Sequence, residues 1–176
     1  MSKFAFIFAR GGSKGIEKKN IQIFGGIPLI AHSINQALES KIFDKVFVST
    51  DDQEISSISI SFGAEVINRP KEFASDTSPE WLAWRHAILY SENIYGSFDL
   101  FVSLPPPSPL RNQDDIHGAV QLFDNITKAD ICLGISASNR NPYFNMVQRG
   151  HDQTLSLACE PNLEITRRQD APTIFD

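Results

Sequence analysis

A chain of 176 residues, 41% of them hydrophobic and 21% charged, is long enough to bury a sizeable core and has ordinary globular composition. It holds no run of 18 apolar residues and no basic-then-apolar-then-small leader, which argues against a membrane-spanning or secreted protein and for a cytoplasmic one. A net charge of -5 without a long basic block argues against a nucleic-acid-binding surface, and the two distant cysteines, Cys132 and Cys159, support neither a disulfide framework nor a cysteine zinc site.

The apolar run from Phe4 to Ala9 reads as a buried strand that breaks into a glycine-rich basic loop, Arg10-Gly-Gly-Ser-Lys14-Gly-Ile-Glu-Lys-Lys19-Asn20. Gly11, Gly12 and Gly15 let the backbone bring its N–H groups close to a ligand, and Arg10, Lys14, Lys18 and Lys19 place cations around it. In an acidic chain such a cluster points to a phosphate-rich ligand. Taken alone, the loop reads equally as a solvated connection. It is neither a P-loop, which needs GxxxxGK[ST], nor a GxGxxG fingerprint.

Pro28 is expected in the first turn of a helix whose Leu29, Ile30, Ile34, Ala37 and Leu38 recur at helical spacing, with His32 an ordinary helix residue. Lys45–Thr50 reads as a second strand, after which Thr50 or Asp51 can cap a helix from Gln53 to Phe62. Ile58, Ile60 and Phe62 in that segment fit a strand as well, and the β-α-β rhythm favours the helix. Gly63 ends it, and residues 64–67 form a third strand. A helix from Glu80 to Tyr90 is expected to bury Trp81, Trp84 and Ile88. Asp99–Leu104 reads as a fourth strand, cut off by the proline turn 105–109 that Arg111 closes. Asn112 or Asp114 caps a helix to about Asn125, and residues 129–136 read as a fifth strand with Cys132 as a small core residue.

Repeated strand-helix-strand units imply an α/β fold, a mainly parallel sheet covered on both faces. In such a sheet ligands bind beyond the carboxyl ends of the strands. Three of those ends carry the unusual sequences: the Arg10 to Asn20 loop, the Asn68 to Pro79 loop and the Pro105 to Arg111 turn.

These residues carry a resemblance. Ala9-Arg-Gly-Gly-Ser-Lys-Gly-Ile-Glu-Lys-Lys-Asn20, Gly26-Ile-Pro-Leu-Ile30, Val48-Ser-Thr-Asp-Asp52, Arg69-Pro with Ala74-Ser-Asp-Thr77, Ser108-Pro-Leu-Arg111, Asn141-Pro-Tyr-Phe-Asn-Met146 and Arg167-Arg-Gln169 follow one another in an order that resembles the acylneuraminate cytidylyltransferase family, the CMP-sialic acid synthetases with their legionaminic and pseudaminic acid relatives. The resemblance implies a three-layer α/β/α, nucleotide-diphospho-sugar transferase-like fold. It further implies transfer of CMP from CTP to a nine-carbon 2-keto sugar acid for surface polysaccharide biosynthesis, with Mg2+ as cofactor and a homodimer as the assembly. Exposed Ile165, Ile174 and Phe175 are compatible with such a partner.

By the same resemblance Arg10, Lys19 and Asn20 are the catalytic candidates. Ala9, Arg10, Gly12, Ser13, Lys14, Asn20, Arg69, Thr77 and Ser78 would bind nucleotide, and Asn141, Tyr143, Phe144, Arg168 and Gln169 would bind the sugar. Arg111 is expected to brace its turn. Two departures stand out. Pro105 replaces a glutamine expected to contact nucleotide or sugar, and the chain stops at Asp176, before the Asp-Ile-Asp segment that binds magnesium in the family. The metal ligands are therefore unassigned. The expectation for the whole is a single nucleotidyltransferase domain over residues 1–176 that lacks its C-terminal part. A catalytically silent nucleotide-binding or assembly module of the same fold is the alternative, and activation of an eight-carbon acid a third reading.

Overall fold

The computed structural model describes residues 1–12, 15–160 and 165–176. They form two compact units, Met1–Asn125 and Ile126–Asp176. In the first, strands β1 (Lys3–Phe8), β4 (Lys45–Thr50), β5 (Glu65–Asn68) and β6 (Leu100–Ser103) make one sheet in the order β5-β4-β1-β6. Every pairing is parallel: Phe6 faces Phe47 on one side and Ser103 on the other, and Val48 faces Val66. A two-residue hairpin, β2 (Ile23–Phe24) with β3 (Ile27–Pro28), leads into helix α1 (Leu29–Ser40). Helices α2 (Gln53–Ser61), α3 (Glu80–Tyr95) and α4 (Gln113–Asn125) complete the unit.

Strand alternation divides the core into two faces. Ala5, Ile7 and Ala9 of the first strand and its extension pack with Ile30, Ile34 and Ala37 of α1, Ile55 of α2 and Ile116 of α4. Phe4 and Phe6 point the other way, onto an aromatic layer with Phe47, Phe8, Phe98 and Phe101 that Ala87 of α3 covers. Phe6 is fully buried, its ring 5.2 Å from Phe47 and 4.8 Å from Phe101. A parallel sheet sandwiched in this way is apolar on both faces, which is why Phe4–Phe8 of β1 and Val46–Val48 of β4 read as apolar runs.

Several local expectations need correction. Pro28 (φ -56°, ψ 143°) stands one residue before α1 as its N-cap, extended and outside the first turn. Asp52, and neither Thr50 nor Asp51, caps α2: its Oδ1 accepts from the N–H groups of Glu54 at 2.8 Å and Ile55 at 3.0 Å. In α3 the buried stripe is Ala83, Ala87 and Ser91, while Trp81 is 51% exposed under the Arg85 guanidinium. The aromatic layer already fills the space below α3, so only small residues fit its inner face. Trp84 is half-buried and reaches the edge of that layer at Phe101, 5.5 Å away. At the start of α4, Asn112 caps with Asp115 in reciprocal bonds of 2.9 Å, and Asp114 takes no part in them.

The second unit contains the antiparallel hairpin β7 (Val147–Arg149) and β8 (Leu155–Leu157). The expected fifth strand over residues 129–136 does not form. Ile131, Leu133 and Ile135 are 63–67% exposed and Cys132 is exposed, not a core residue. Alternating apolar residues make a strand only where a ladder partner exists. Here pairing starts at Ser136, which exchanges backbone bonds with Asp176, and at the Ala137–Phe175 bridge. Phe175 is exposed, and Ile165 and Ile174 are half-buried. Among the described residues no helix is long and apolar enough to cross a membrane.

Candidate active site

The order β5-β4-β1-β6 places the topological switch between β1 and β6, since the chain runs outward from β1 through β4 to β5 and then returns to the far side of β1. The carboxyl ends of these strands carry the three unusual segments, and all three line one cleft of about 350 Å³. Arg10, Lys19 and Asn20 come from the first loop, Arg69, Phe73, Ser75, Asp76 and Ser78 from the second, and Pro107 from the proline turn. Phe8 of β1 and Glu80 and Ala83 of α3 complete the lining. That size suits a small-molecule ligand.

The first loop is fixed by its own polar groups. Ala9 donates its N–H to the Ser49 carbonyl at 3.1 Å and buries its side chain in the core. Gly11 donates to Asp51 Oδ1 at 3.1 Å, and a Cβ at this position would stand 2.7 Å from Asp52 Oδ2, so any larger residue forces the Asp52 side chain to shift. The nearly buried Asn20 donates from Nδ2 to the Arg10 carbonyl at 3.1 Å and so holds the far end of the loop against its start. Lys18 adopts a left-handed conformation and turns outward to Glu54, 2.6 Å away; that hydrogen bond and charge hold its ammonium pKa above the usual value. Lys19 makes no ion pair among the described residues and lines the cleft.

Arg69 is the cation of the opposite wall. It is 8% exposed, donates from Nε to Ser49 Oγ at 3.1 Å and from Nη2 to the Ser49 carbonyl at 2.6 Å, and lies over the Phe8 ring. Burial lowers its guanidinium pKa and the Arg10 charge acts the same way, while Asp51 and Glu80 oppose them. Between the walls Arg10 Nη2 meets Asp76 Oδ1 at 2.8 Å. Behind Phe73, His86 of α3 packs on that ring, and burial together with Arg69 lowers its pKa, with Glu72 opposing.

The comparisons with known proteins agree with this geometry. The family profile described as "Cytidylyltransferase" matches residues 4–98. The "Post-translational flagellin modification protein B" of Campylobacter coli is 36% identical over 97% of this chain and 72% of its own. The "CMP-N,N'-diacetyllegionaminic acid synthase" of Campylobacter jejuni is 37% identical over the same shares. The chain belongs to the acylneuraminate-type cytidylyltransferase family. A solved CMP:2-keto-3-deoxy-manno-octonic acid synthetase complexed with CTP matches the fold with a TM-score of 0.64 at 19% identity, over 99% of this chain and 70% of that one.

Of the site residues expected for a cytidylyltransferase, the fold brings Arg10, Lys19, Asn20, Arg69 and Ser78 to one cleft. Ala9 serves it through the backbone, Gly12 has open space around it, and Thr77 lies beside Ser75 outside the cleft lining. Ser13 and Lys14 lie outside the described residues. Asn141, Tyr143, Phe144, Arg168 and Gln169 belong to the second unit. There Asn141 is buried and braces its own loop, donating from Nδ2 to the Pro172 carbonyl at 2.8 Å and accepting at Oδ1 from the Tyr143 N–H at 2.9 Å. Arg168 donates to the Asn139 carbonyl. Arg111 braces its turn as expected, donating from Nη2 to Ser33 Oγ at 3.2 Å and Gln36 Oε1 at 3.1 Å.

Sequence reasoning missed Phe8, Phe73, Glu80 and Pro107 as cleft residues. Phe8 had a signal, its alternation out of the buried strand, and Glu80 had another, the first position of a helix beginning at the carboxyl edge of the sheet. Magnesium finds no ready cage here. No group of three or more His, Cys, Asp or Glu stands ready for a metal among the described residues. Asp51 bonds Gly11, Asp52 caps α2 and Asp76 pairs with Arg10, while the Glu80 carboxylate lines the cleft and acts electrostatically on Arg69.

Proposed function

We propose that the protein transfers the cytidylyl group of CTP to a nine-carbon 2-keto sugar acid of the sialic, legionaminic or pseudaminic type and releases pyrophosphate. The observation that carries this reading is the single cleft at the sheet's switch point, with Arg10 and Lys19 on one wall and Arg69 on the other, in a chain of this family. The names of the relatives across 97% of the chain support the substrate class.

In this reaction the anomeric hydroxyl of the sugar loses its proton to solvent as its oxygen bonds to the α-phosphorus, the bond from that phosphorus to the bridging oxygen breaks, and the electron pair leaves with pyrophosphate. Negative charge builds on the phosphoryl oxygens, so fixed cations stabilise the transition state more than the ground state. Arg10 and Lys19 take that role toward the triphosphate. Asn20, one N–H already spent on the Arg10 carbonyl, offers its remaining amide groups to the ribose or the α-phosphate. Arg69 needs no reorganisation to present its free N–H to the base, because Ser49 and Phe8 hold it. Magnesium bound to the phosphates of CTP would add charge neutralisation to that supplied by Arg10 and Lys19.

The test is pyrophosphate release from CTP and magnesium with a panel of sialic, legionaminic, pseudaminic and eight-carbon 2-keto acids. Turnover with a nine-carbon acid is the expected outcome. CTP binding without turnover on any acid would instead support a silent nucleotide-binding module, a reading favoured by Pro105 and by the lack, among the described residues, of a group of three or more metal-type side chains.

A further inference from the structure

The Arg10–Gly11 peptide is held at both its polar ends, the carbonyl accepting from Asn20 Nδ2 and the Gly11 N–H donating to Asp51 Oδ1. The Arg10 side chain crosses to the loop after β5, where Nη2 meets Asp76 Oδ1 at 2.8 Å. Asp76 therefore gives Arg10 what a phosphate oxygen would give it, an anionic acceptor at charge-assisted distance. The two side chains are 35% and 42% exposed, so an incoming anion can reach the pair. Exposed ion pairs are weak, and a polyphosphate brings several charges against one.

We infer that Asp76 is a displaceable internal occupant of the polyphosphate position on Arg10. A polyphosphate binds by exchanging with the Asp76 carboxylate, and Asp76 retakes Arg10 when the polyphosphate leaves. The carboxylate thus lowers affinity for the intact ligand and speeds departure of pyrophosphate. This inference rests on the Arg10 loop being an anion site, and not on which nucleoside follows the phosphates. Asp76 acts through Arg10 and is a positioning residue, not a catalytic one.

Calorimetric titration with inorganic pyrophosphate, without divalent cation, tests this on the full chain. Asp76→Asn keeps the shape and removes the charge, Asp76→Ser serves as a second variant should the first fail to fold, and Asp124→Asn controls for net charge, since Asp124 pairs with Lys3 at the opposite end of β1. The expected result is about fivefold tighter pyrophosphate binding for either Asp76 variant and no change for Asp124→Asn. In turnover, the Asp76 variants should show lower KM for CTP, lower kcat and stronger product inhibition. Unchanged or weaker pyrophosphate binding by a folded Asp76 variant overturns the inference, as does equal tightening by Asp124→Asn. Absence of pyrophosphate binding in every protein overturns the anion site with it. The expected ordering for pyrophosphate in a chain that does not bind CTP leaves the inference standing and removes the cytidylyl reading.

Discussion

Gly11→Ala ties the candidate site to the stability of the fold. A Cβ at this position would lie 2.7 Å from Asp52 Oδ2, 3.0 Å from its Cβ and 3.2 Å from its Cγ. The first distance is well inside van der Waals contact, so the carboxylate must move. Asp52 caps α2 through the Glu54 and Ile55 N–H groups, and losing that cap costs about 1 kcal/mol. The Cβ–Cβ contact adds about 1 kcal/mol of overpacking strain. Gly11→Ala is therefore expected to lower the unfolding free energy by about 2 kcal/mol. Asp52→Gly removes all three contacting atoms and keeps a residue tolerated at an N-cap, at a cost of a few tenths of a kcal/mol. In that background Gly11→Ala should be nearly neutral, a coupling of about 1.5 kcal/mol or more. Urea titrations of the four proteins by circular dichroism close the cycle. Additive costs would refute the reasoning, because they would mean that the new methyl group never meets Asp52.

Three further outcomes are expected. Phe6→Ala, which empties the centre of the aromatic layer, should cost about 3–5 kcal/mol in urea unfolding; a cost near 1 kcal/mol would show that the layer collapses to fill the space. Arg69→Lys keeps the charge but cannot make both bonds to Ser49, so it should lose about 2 kcal/mol of stability and bind CTP more weakly than the wild type, whereas wild-type behaviour in both assays would contradict the bracing role. The folded pKa of His86 lies below its ordinary value because of burial and Arg69. Its contribution is therefore full above about pH 6.5 and is lost as pH falls through the folded pKa; His86→Gln should flatten thermal stability across that window, and an unchanged slope relative to the wild type would count against it.

What was legible in the sequence follows from burial. Lys45–Thr50 is a strand with the expected bounds because both faces of β4 are covered along its apolar stretch Val46–Val48 and into the buried Ser49 and Thr50. The run 129–136 has the same apolar character and forms no strand, since side-chain pattern reports a preference for burial and not whether a ladder partner is present. Trp81 was misplaced for a related reason: helical spacing gives the stripe, but the rings beneath α3 decide whether large or small residues occupy it. In the site, the three loops could be named from strand ends alone. The Arg10–Asp76 pair and the Ser49 clamp on Arg69 could not, because they join residues far apart in the chain whose meeting depends on the strand order β5-β4-β1.

The central claim is that the Arg10 loop holds the triphosphate while CMP passes to a nine-carbon acid. It is tested most directly by pyrophosphate release from CTP with wild type and Arg10→Ala, each checked by thermal melting. The account expects turnover by the wild type, a loss of about 100-fold or more in Arg10→Ala, and closely similar melting temperatures, since Arg10 faces the cleft and not the core. An Arg10→Ala protein that releases pyrophosphate at the wild-type rate would contradict it.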